Sequence, residues 1–346
     1  MHAATSDVAS GAALETFFRR RSADPQSLRV RYERITGGYS RLMLRVWAQT
    51  GDSEHGYIVR ADPPPGESIV DSDRADEWAL LRALGDAGTI PMPAALWFDP
   101  TGEELGAPAI VSELIDGPSL LSMAARRDAS EHFALGLPLC ELAAAIHRFD
   151  LSALPPHVEL PRSWDEYIDG RIQLWVDAAD RLPEPDPFMR AAARWLRANK
   201  PEPVPLALVH GDFQPANVVV GPDGAYHAID WELTHVGDPR EDLGWMALCG
   251  INQPPSLIAS DPQAFYLRYA ELMGLPASAV DPAAIAYFTI LGSTDVFLRV
   301  VDRLAMFARG EASSTLLAYM ADGVAAMHSV FVGAVADHAA AQVVAA

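Results

Sequence analysis

The chain has 346 residues, half of them hydrophobic and about a fifth charged, with a formal net charge of −20 at pH 7. That length can bury one large core or two lobes of domain size. The charge excludes a nucleic-acid binder, whose phosphate contacts need clustered Lys and Arg, and the two cysteines, Cys140 and Cys249, leave no disulfide framework or thiolate metal site.

The N-terminal stretch lacks the apolar run of a signal peptide. Residues 323–336 are apolar but contain His328 and lie between Asp322 and Asp337. They are too short to span a bilayer and read as a packed helix. A soluble, cytoplasmic protein without a membrane partner is expected.

After an N-terminal helix the chain reads as β-rich. Arg29 to Ile35, Leu42 to Ala48 and Gly56 to Ala61 are short apolar and β-branched runs. Gly37-Gly38 separates the first two, and Thr50-Gly51-Asp52 begins the next turn. Three short strands joined so tightly predict an antiparallel meander. Ile35-Thr36-Gly37-Gly38-Tyr39-Ser40 sits in the first turn, where absent Cβ atoms let backbone N–H groups approach an anion. It is neither a Walker A loop nor a dinucleotide fingerprint.

A helix is predicted over Asp73 to Leu84, with Ser72 as N-cap and Gly85 or Gly88 ending it. Trp78, Leu81 and Leu84 mark its buried face. Glu77 lies on the same face, and a carboxylate there is costly without a cationic partner. Ala109 to Leu114 reads as a strand and Asp116-Gly117-Pro118 as a break. The break divides the chain into an N-lobe, residues 1–115, and a C-lobe, residues 116–346.

Helical patterns dominate from Ser119, notably Leu135 to Phe149 and the run through Trp164, Ile168, Ile172 and Trp175. One β-like island, Leu206 to Trp231, interrupts them. Val218-Val219-Val220 and Ala225 to Ile229 form a hairpin about Gly221-Pro222-Asp223-Gly224. Folding it sets Asn217 near Ala228, with Asp230 about two residues further along the neighbouring strand. At ~3.3 Å per residue and ~4.8 Å between strands, both side chains can reach one small cation. Asp212, on the preceding loop, can face the same point. Two carboxylates and an amide oxygen suit magnesium rather than zinc.

His210-Gly211-Asp212-Phe213-Gln214-Pro215-Ala216-Asn217 resembles the HGDxxxxN loop of the aminoglycoside phosphotransferase family. Ile229-Asp230-Trp231-Glu232 is similar to that family's IDW segment, which stands in for the DFG of protein kinases. Gly237-Asp238-Pro239-Arg240-Glu241-Asp242-Leu243 is similar to its GDPxxDLA continuation. The resemblance implies an α+β, bilobal, protein-kinase-like fold with an antiparallel-sheet N-lobe and a mainly helical C-lobe. It also implies an ATP- and magnesium-dependent kinase of a small hydroxylated acceptor. In that frame Asp212 orients or deprotonates the acceptor hydroxyl, and Asn217 and Asp230 hold magnesium against the phosphates.

The same resemblance gives roles in the first lobe. Gly37, Gly38, Tyr39 and Ser40 would cover the phosphates. Arg60 stands where kinases carry a lysine on the third strand, and Glu77 would be its helix partner. Ser112 to Gly117 resembles the family hinge, with backbone at Glu113 and Ile115 bonding adenine. His147 and Asp242 would support the catalytic loop from beneath. IVRADPPPG, Ile58 to Gly66, looks like the branch related to the kinase-like domain fused to some acyl-CoA dehydrogenases, which points to a hydroxyacyl acceptor. The acidic balance points instead to a cationic, aminoglycoside-like one. A nucleotide-binding scaffold without catalysis is the alternative that Arg60 suggests.

Overall fold

Leu44, Val46 and Ala48 are buried while the residues between them are partly exposed, the two-residue alternation of a strand with one face on a core. The computed structural model describes residues 9–35, 42–62, 73–181, 187–252, 254–310, 325, 327–333 and 336. Helix α1 (Gly11–Arg21) precedes strands β1 (Arg29–Arg34), β2 (Leu42–Thr50) and β3 (Ser53–Ala61). Helix α2 (Arg74–Ala87) leads to β4 (Ala95–Asp99) and β5 (Ala109–Glu113). These strands form one antiparallel sheet in the order β1-β2-β3-β5-β4. The expected meander is thus its first three strands. Strand β4 carries no period-two signal long enough to announce it.

Phe17 and Phe18 of α1 lie edge-on to Trp97 of β4, and with Leu14, Val46, Val59 and Val111 they make the core of this unit. Asp73 caps helix α2, and the expected cap, Ser72, lies outside the described residues. The Asp73 carboxylate accepts the N–H groups of Ala75 and Asp76, and Gly88 ends the helix in a left-handed conformation. Of the expected face, Leu81 and Leu84 are buried with Leu80 and Glu77. Trp78 stacks on Phe98, with ring centroids 5.6 Å apart.

The remaining chain is mostly helical: α3 (Leu120–Ala124), α4 (His132–Gly136), α5 (Leu139–His147), α6 (Trp164–Arg181) and α7 (Pro187–Ala198). Pro138 splits the continuous helix expected from Leu135 to Phe149, because it has no N–H to give to the preceding turn. Short strands β6 (Ala207–Val209), β7 (Val218–Val220), β8 (Tyr226–Ala228) and β9 (His235–Gly237) follow, then α8 (Arg240–Asn252), α9 (Pro262–Met273), α10 (Pro282–Leu291) and α11 (Thr294–Ala308). β6 pairs antiparallel with β9, and β7 with β8. Trp175, Leu196, Phe288 and Phe297 belong to the helical core, which Met327 and Phe331 complete.

The chain divides into two compact units, residues 1–117 with 220–227, and residues 118–219 with 228–346. Among the described residues no helix is long and apolar enough to cross a membrane.

Candidate active site

In the first unit, strand β3 presents Arg60 and helix α2 presents Glu77. Their side chains meet at 2.7 Å, with 11% and 3% of each exposed, so the carboxylate on the buried helix face has its cation. A second buried arginine was not legible in the sequence. Arg74, in the first turn of α2, also binds the Glu77 carboxylate, and it holds Asp62 at 2.7 Å. Its signal is the three-residue spacing to Glu77, one turn of helix.

At the end of β5 the Glu113 N–H donates to the Ala94 carbonyl at 2.9 Å. Ile115 follows in an irregular, partly buried segment. Gly117 then passes so close to the chain that a Cβ would lie 1.9 Å from the Val220 carbonyl oxygen. Gly37, Gly38, Tyr39 and Ser40 lie outside the described residues.

In the second unit the loop after β6 carries Asp212 and Asn217. Two side chains fix its start. Asp242, in the first turn of α8, accepts the backbone N–H groups of His210 at 2.8 Å and Gly211 at 2.9 Å. His147 at the end of α5 lies 2.9 Å from the same carboxylate and 2.6 Å from the Tyr269 hydroxyl. Burial alone would raise the Asp242 pKa; the His147 contact and the loop N–H groups outweigh it and hold the pKa below the usual carboxylate value. Gly211 has φ +82°, and a Cβ there would sit 2.3 Å from the Leu233 carbonyl oxygen, so only glycine fits. His210 is buried, with Nε2 at 3.0 Å from the Ile229 carbonyl and Nδ1 accepting the Asp212 N–H at 3.3 Å. That pattern is a neutral imidazole, and burial lowers its pKa accordingly.

The segment holding Asp242 is itself latched to α6. The Trp164 indole donates to Asp238 at 2.6 Å and the Tyr167 hydroxyl donates to Glu241 at 2.5 Å. Asp238 also takes Arg240 at 2.7 Å in a fully buried pair. Trp164 and Tyr167 therefore brace the loop from behind.

Asp212 receives three side-chain donors: Trp245 Nε1 at 2.6 Å and Gln214 Nε2 at 2.5 Å on Oδ1, and Asn217 Nδ2 at 2.6 Å on Oδ2. Asn217 Nδ2 also reaches the Asp212 carbonyl oxygen at 3.0 Å. Both neighbours of that nitrogen are acceptors, so the amide orientation is fixed and Oδ1 of Asn217 is left for a cation. Burial, and after it the charge of Asp230, push the Asp212 carboxyl up to about 7 against the pull of its three donors. Trp245 was not singled out in the sequence. It lies three residues after Asp242, hence on the same face of α8.

The Ile229 N–H donates to the Asn217 carbonyl at 3.0 Å and the Gly221 N–H to the Ala225 carbonyl at 2.8 Å, so Asn217 stands opposite Ile229, one residue beyond the expected Ala228, and Asp230 follows directly. Asp230 has φ +68°, left-handed backbone for a residue with a Cβ. Among the described residues no group of three or more His, Cys, Asp or Glu could hold a metal by itself. One amide oxygen and one carboxylate are a donor set that magnesium completes with phosphate oxygens and water. A narrow crevice beside the loop, with room for little more than a water molecule, is lined by Leu121, Pro215, Ala216, Met246, Leu257 and Ile258, with Gln214 and Ser256 as polar members.

The sequence model of the phosphotransferase enzyme family matches residues 31–275. The chain belongs to that family. Its structure resembles a Ralstonia eutropha protein solved as a candidate aminoglycoside phosphotransferase, with a TM-score of 0.66 at 21% identity over 92% of this chain and 96% of that one. It also resembles choline kinase LicA of Streptococcus pneumoniae, with a TM-score of 0.58 at 18% identity over 94% and 99%. These likenesses establish the kinase-like α+β fold. Among curated proteins, acyl-CoA dehydrogenase family member 10 of Mus musculus is 29% identical over 201 residues, 55% of this chain and 18% of that protein. The chain spans about a third or less of the length of the curated relatives it matches.

Proposed function

We propose that this phosphotransferase moves the γ-phosphoryl group of ATP to a hydroxyl of a small molecule, with magnesium as the metal. Asp212 is the residue that receives the acceptor proton. Asn217 and Asp230 would hold the magnesium ion, whose chemistry when bound is to neutralise charge on the transferring phosphate oxygens. Arg60, fixed by Glu77, would pair with the other phosphates, and the Glu113 carbonyl and Ile115 backbone would meet the adenine edge. Gly37, Gly38, Tyr39 and Ser40 would supply backbone N–H groups to the phosphates. Positioning and charge neutralisation supply most of the acceleration.

The observation that carries this reading is the Asp212–Asn217 pair. One amide is turned by its hydrogen bonds so that its nitrogen fixes the base while its oxygen is left for a cation. A loop residue placed by chance has no need of that arrangement.

A hydroxyacyl acceptor is in keeping with the acyl-CoA dehydrogenase relatives. The test is ADP release from Mg·ATP across a panel of aminoglycosides, amino alcohols, sugars and hydroxyacyl compounds. An acceptor-dependent rate is expected for the parent, and none for Asp212→Ala, with ATP affinity kept within a few-fold. Equal turnover by the two proteins would sink the assignment.

A further inference from the structure

The carboxylate of Asp212 is held asymmetrically. Oδ1 accepts two N–H groups, from Trp245 and Gln214, whereas Oδ2 accepts one, from Asn217. A carboxylate oxygen offers two lone-pair directions in its plane, so Oδ1 is filled and Oδ2 keeps one open. Trp245 comes from α8, whose first turn also carries Asp242, the residue that binds the loop backbone at His210 and Gly211. One helix therefore sets both the backbone and the side-chain plane of the loop. The Trp245 ring packs against the helical core, which fixes the direction of its N–H.

We propose that Trp245 and Gln214 are positioning residues that fill Oδ1 and reserve Oδ2 as the atom that takes the acceptor's proton. This rests on the phosphotransferase reading and adds to it which oxygen acts and what selects it. In the step, the acceptor hydroxyl oxygen forms a bond to the γ-phosphorus. The bond from that phosphorus to the β,γ-bridging oxygen breaks, and ADP leaves with its electron pair. The hydroxyl proton passes to Oδ2. With Oδ1 filled, the carboxylate cannot present the wrong oxygen or swing out of plane without breaking two hydrogen bonds.

Trp245→Phe keeps the aromatic ring and removes one donor; Gln214→Leu removes the other at a partly exposed position. Each is expected to lower kcat roughly 10- to 100-fold, the range that misplacement of a reacting group produces. The KM for ATP should stay within about twofold and the thermal midpoint within a few degrees, since neither residue is asked to bind nucleotide and Trp245→Phe keeps an aromatic ring against the core. The assay is ADP release from Mg·ATP, first with water as acceptor and then with the best alcohol of the panel. An effect only on folding would lower the melting temperature and leave the turnover of the folded fraction unchanged. Independently of turnover, the Trp245 indole proton, assigned by its loss in Trp245→Phe, should move upfield in Asp212→Ala. Parental kcat in both variants, or an indole resonance indifferent to Asp212→Ala, overturns the inference and leaves the function standing. A parent that releases ADP no faster than Asp212→Ala with water and every acceptor overturns the function and this inference together.

Discussion

Nε2 of His147 lies 2.9 Å from Oδ2 of Asp242, and neither side chain has any exposure. The carboxylate also takes the N–H groups of His210 and Gly211, so it ties the end of α5 to the start of the loop that carries Asp212. Asp242→Asn keeps the volume but turns one oxygen into a donor. If Oδ1 of the new amide serves Gly211, its nitrogen faces the His210 N–H and His147. A buried donor left unpaired costs about 1–3 kcal/mol, and the lost charge on the pair adds to it. Urea denaturation should give a loss of about 3 kcal/mol with an unchanged slope. Turnover should fall with it, because the Asp212 backbone is no longer held. A variant within about 0.5 kcal/mol of the parent would show that the carboxylate does not bear on the loop.

Two carboxylates of this site, one half-buried and one fully buried, respond to pH with opposite sign. Asp212 is raised from 3.8 to about 7 by burial and by Asp230, so the nucleotide-free fold prefers it protonated. Its contribution to stability is therefore greatest below the unfolded value near 4 and is lost as pH rises through about 7. Asp242 is held below its usual value, so its contribution is present above about 4 and is lost as the protein is acidified. In metal- and nucleotide-free buffer, Asp212→Ala should gain thermal stability relative to the parent as pH goes from 5 to 8. The gain is bounded at a few kcal/mol, since a tenfold change in ionisation is worth about 1.4 kcal/mol. A difference in melting temperature that is flat across that range would contradict the assignment.

Glu77 neutralises two buried arginines, and the consequences of breaking the cluster are unequal. Arg60→Ala leaves Glu77 paired with Arg74, whose other partner is Asp62. Its main expected effect is therefore on nucleotide binding, with the KM for ATP raised at least tenfold. Glu77→Ala leaves two buried guanidinium groups facing each other without their shared carboxylate. Removing one partner of a buried pair costs about 3–5 kcal/mol. Denaturation should place Glu77→Ala at least 2 kcal/mol below Arg60→Ala in stability. If the order is reversed, Glu77 is not the centre of the cluster.

The sequence disclosed what repeats locally or lies close along the chain. The hairpin around Gly221 to Gly224, the first three strands and the helix bearing Glu77 were legible because turn residues and periodicity act over a few residues. The pairing of β6 with β9 was not, since each strand has three residues and their partners lie about thirty positions apart. Trp245 escaped for a related reason. An indole in an apolar helix reads as core, and only the folded loop shows that its N–H ends on Asp212. Arg74 likewise reads as a surface cation at a helix start until the fold buries it against Glu77.

Asp230 provides a test in which backbone and chemistry separate. Its φ of +68° is tolerated by glycine without cost, while a residue with a Cβ gives up roughly 1 kcal/mol or more there. Both Asp230→Gly and Asp230→Ala lose the carboxylate proposed to hold magnesium, so both should lose at least 100-fold in ADP release. Their stabilities should differ, because only alanine retains the strained Cβ. The extra freedom of glycine in the unfolded chain opposes this and narrows the gap. Asp230→Gly should still be the more stable of the two by several tenths of a kcal/mol, measured by urea denaturation without metal. If the alanine variant is the more stable, the aspartate is not held in the left-handed region. If the glycine variant keeps parental turnover, the carboxylate is not a metal ligand.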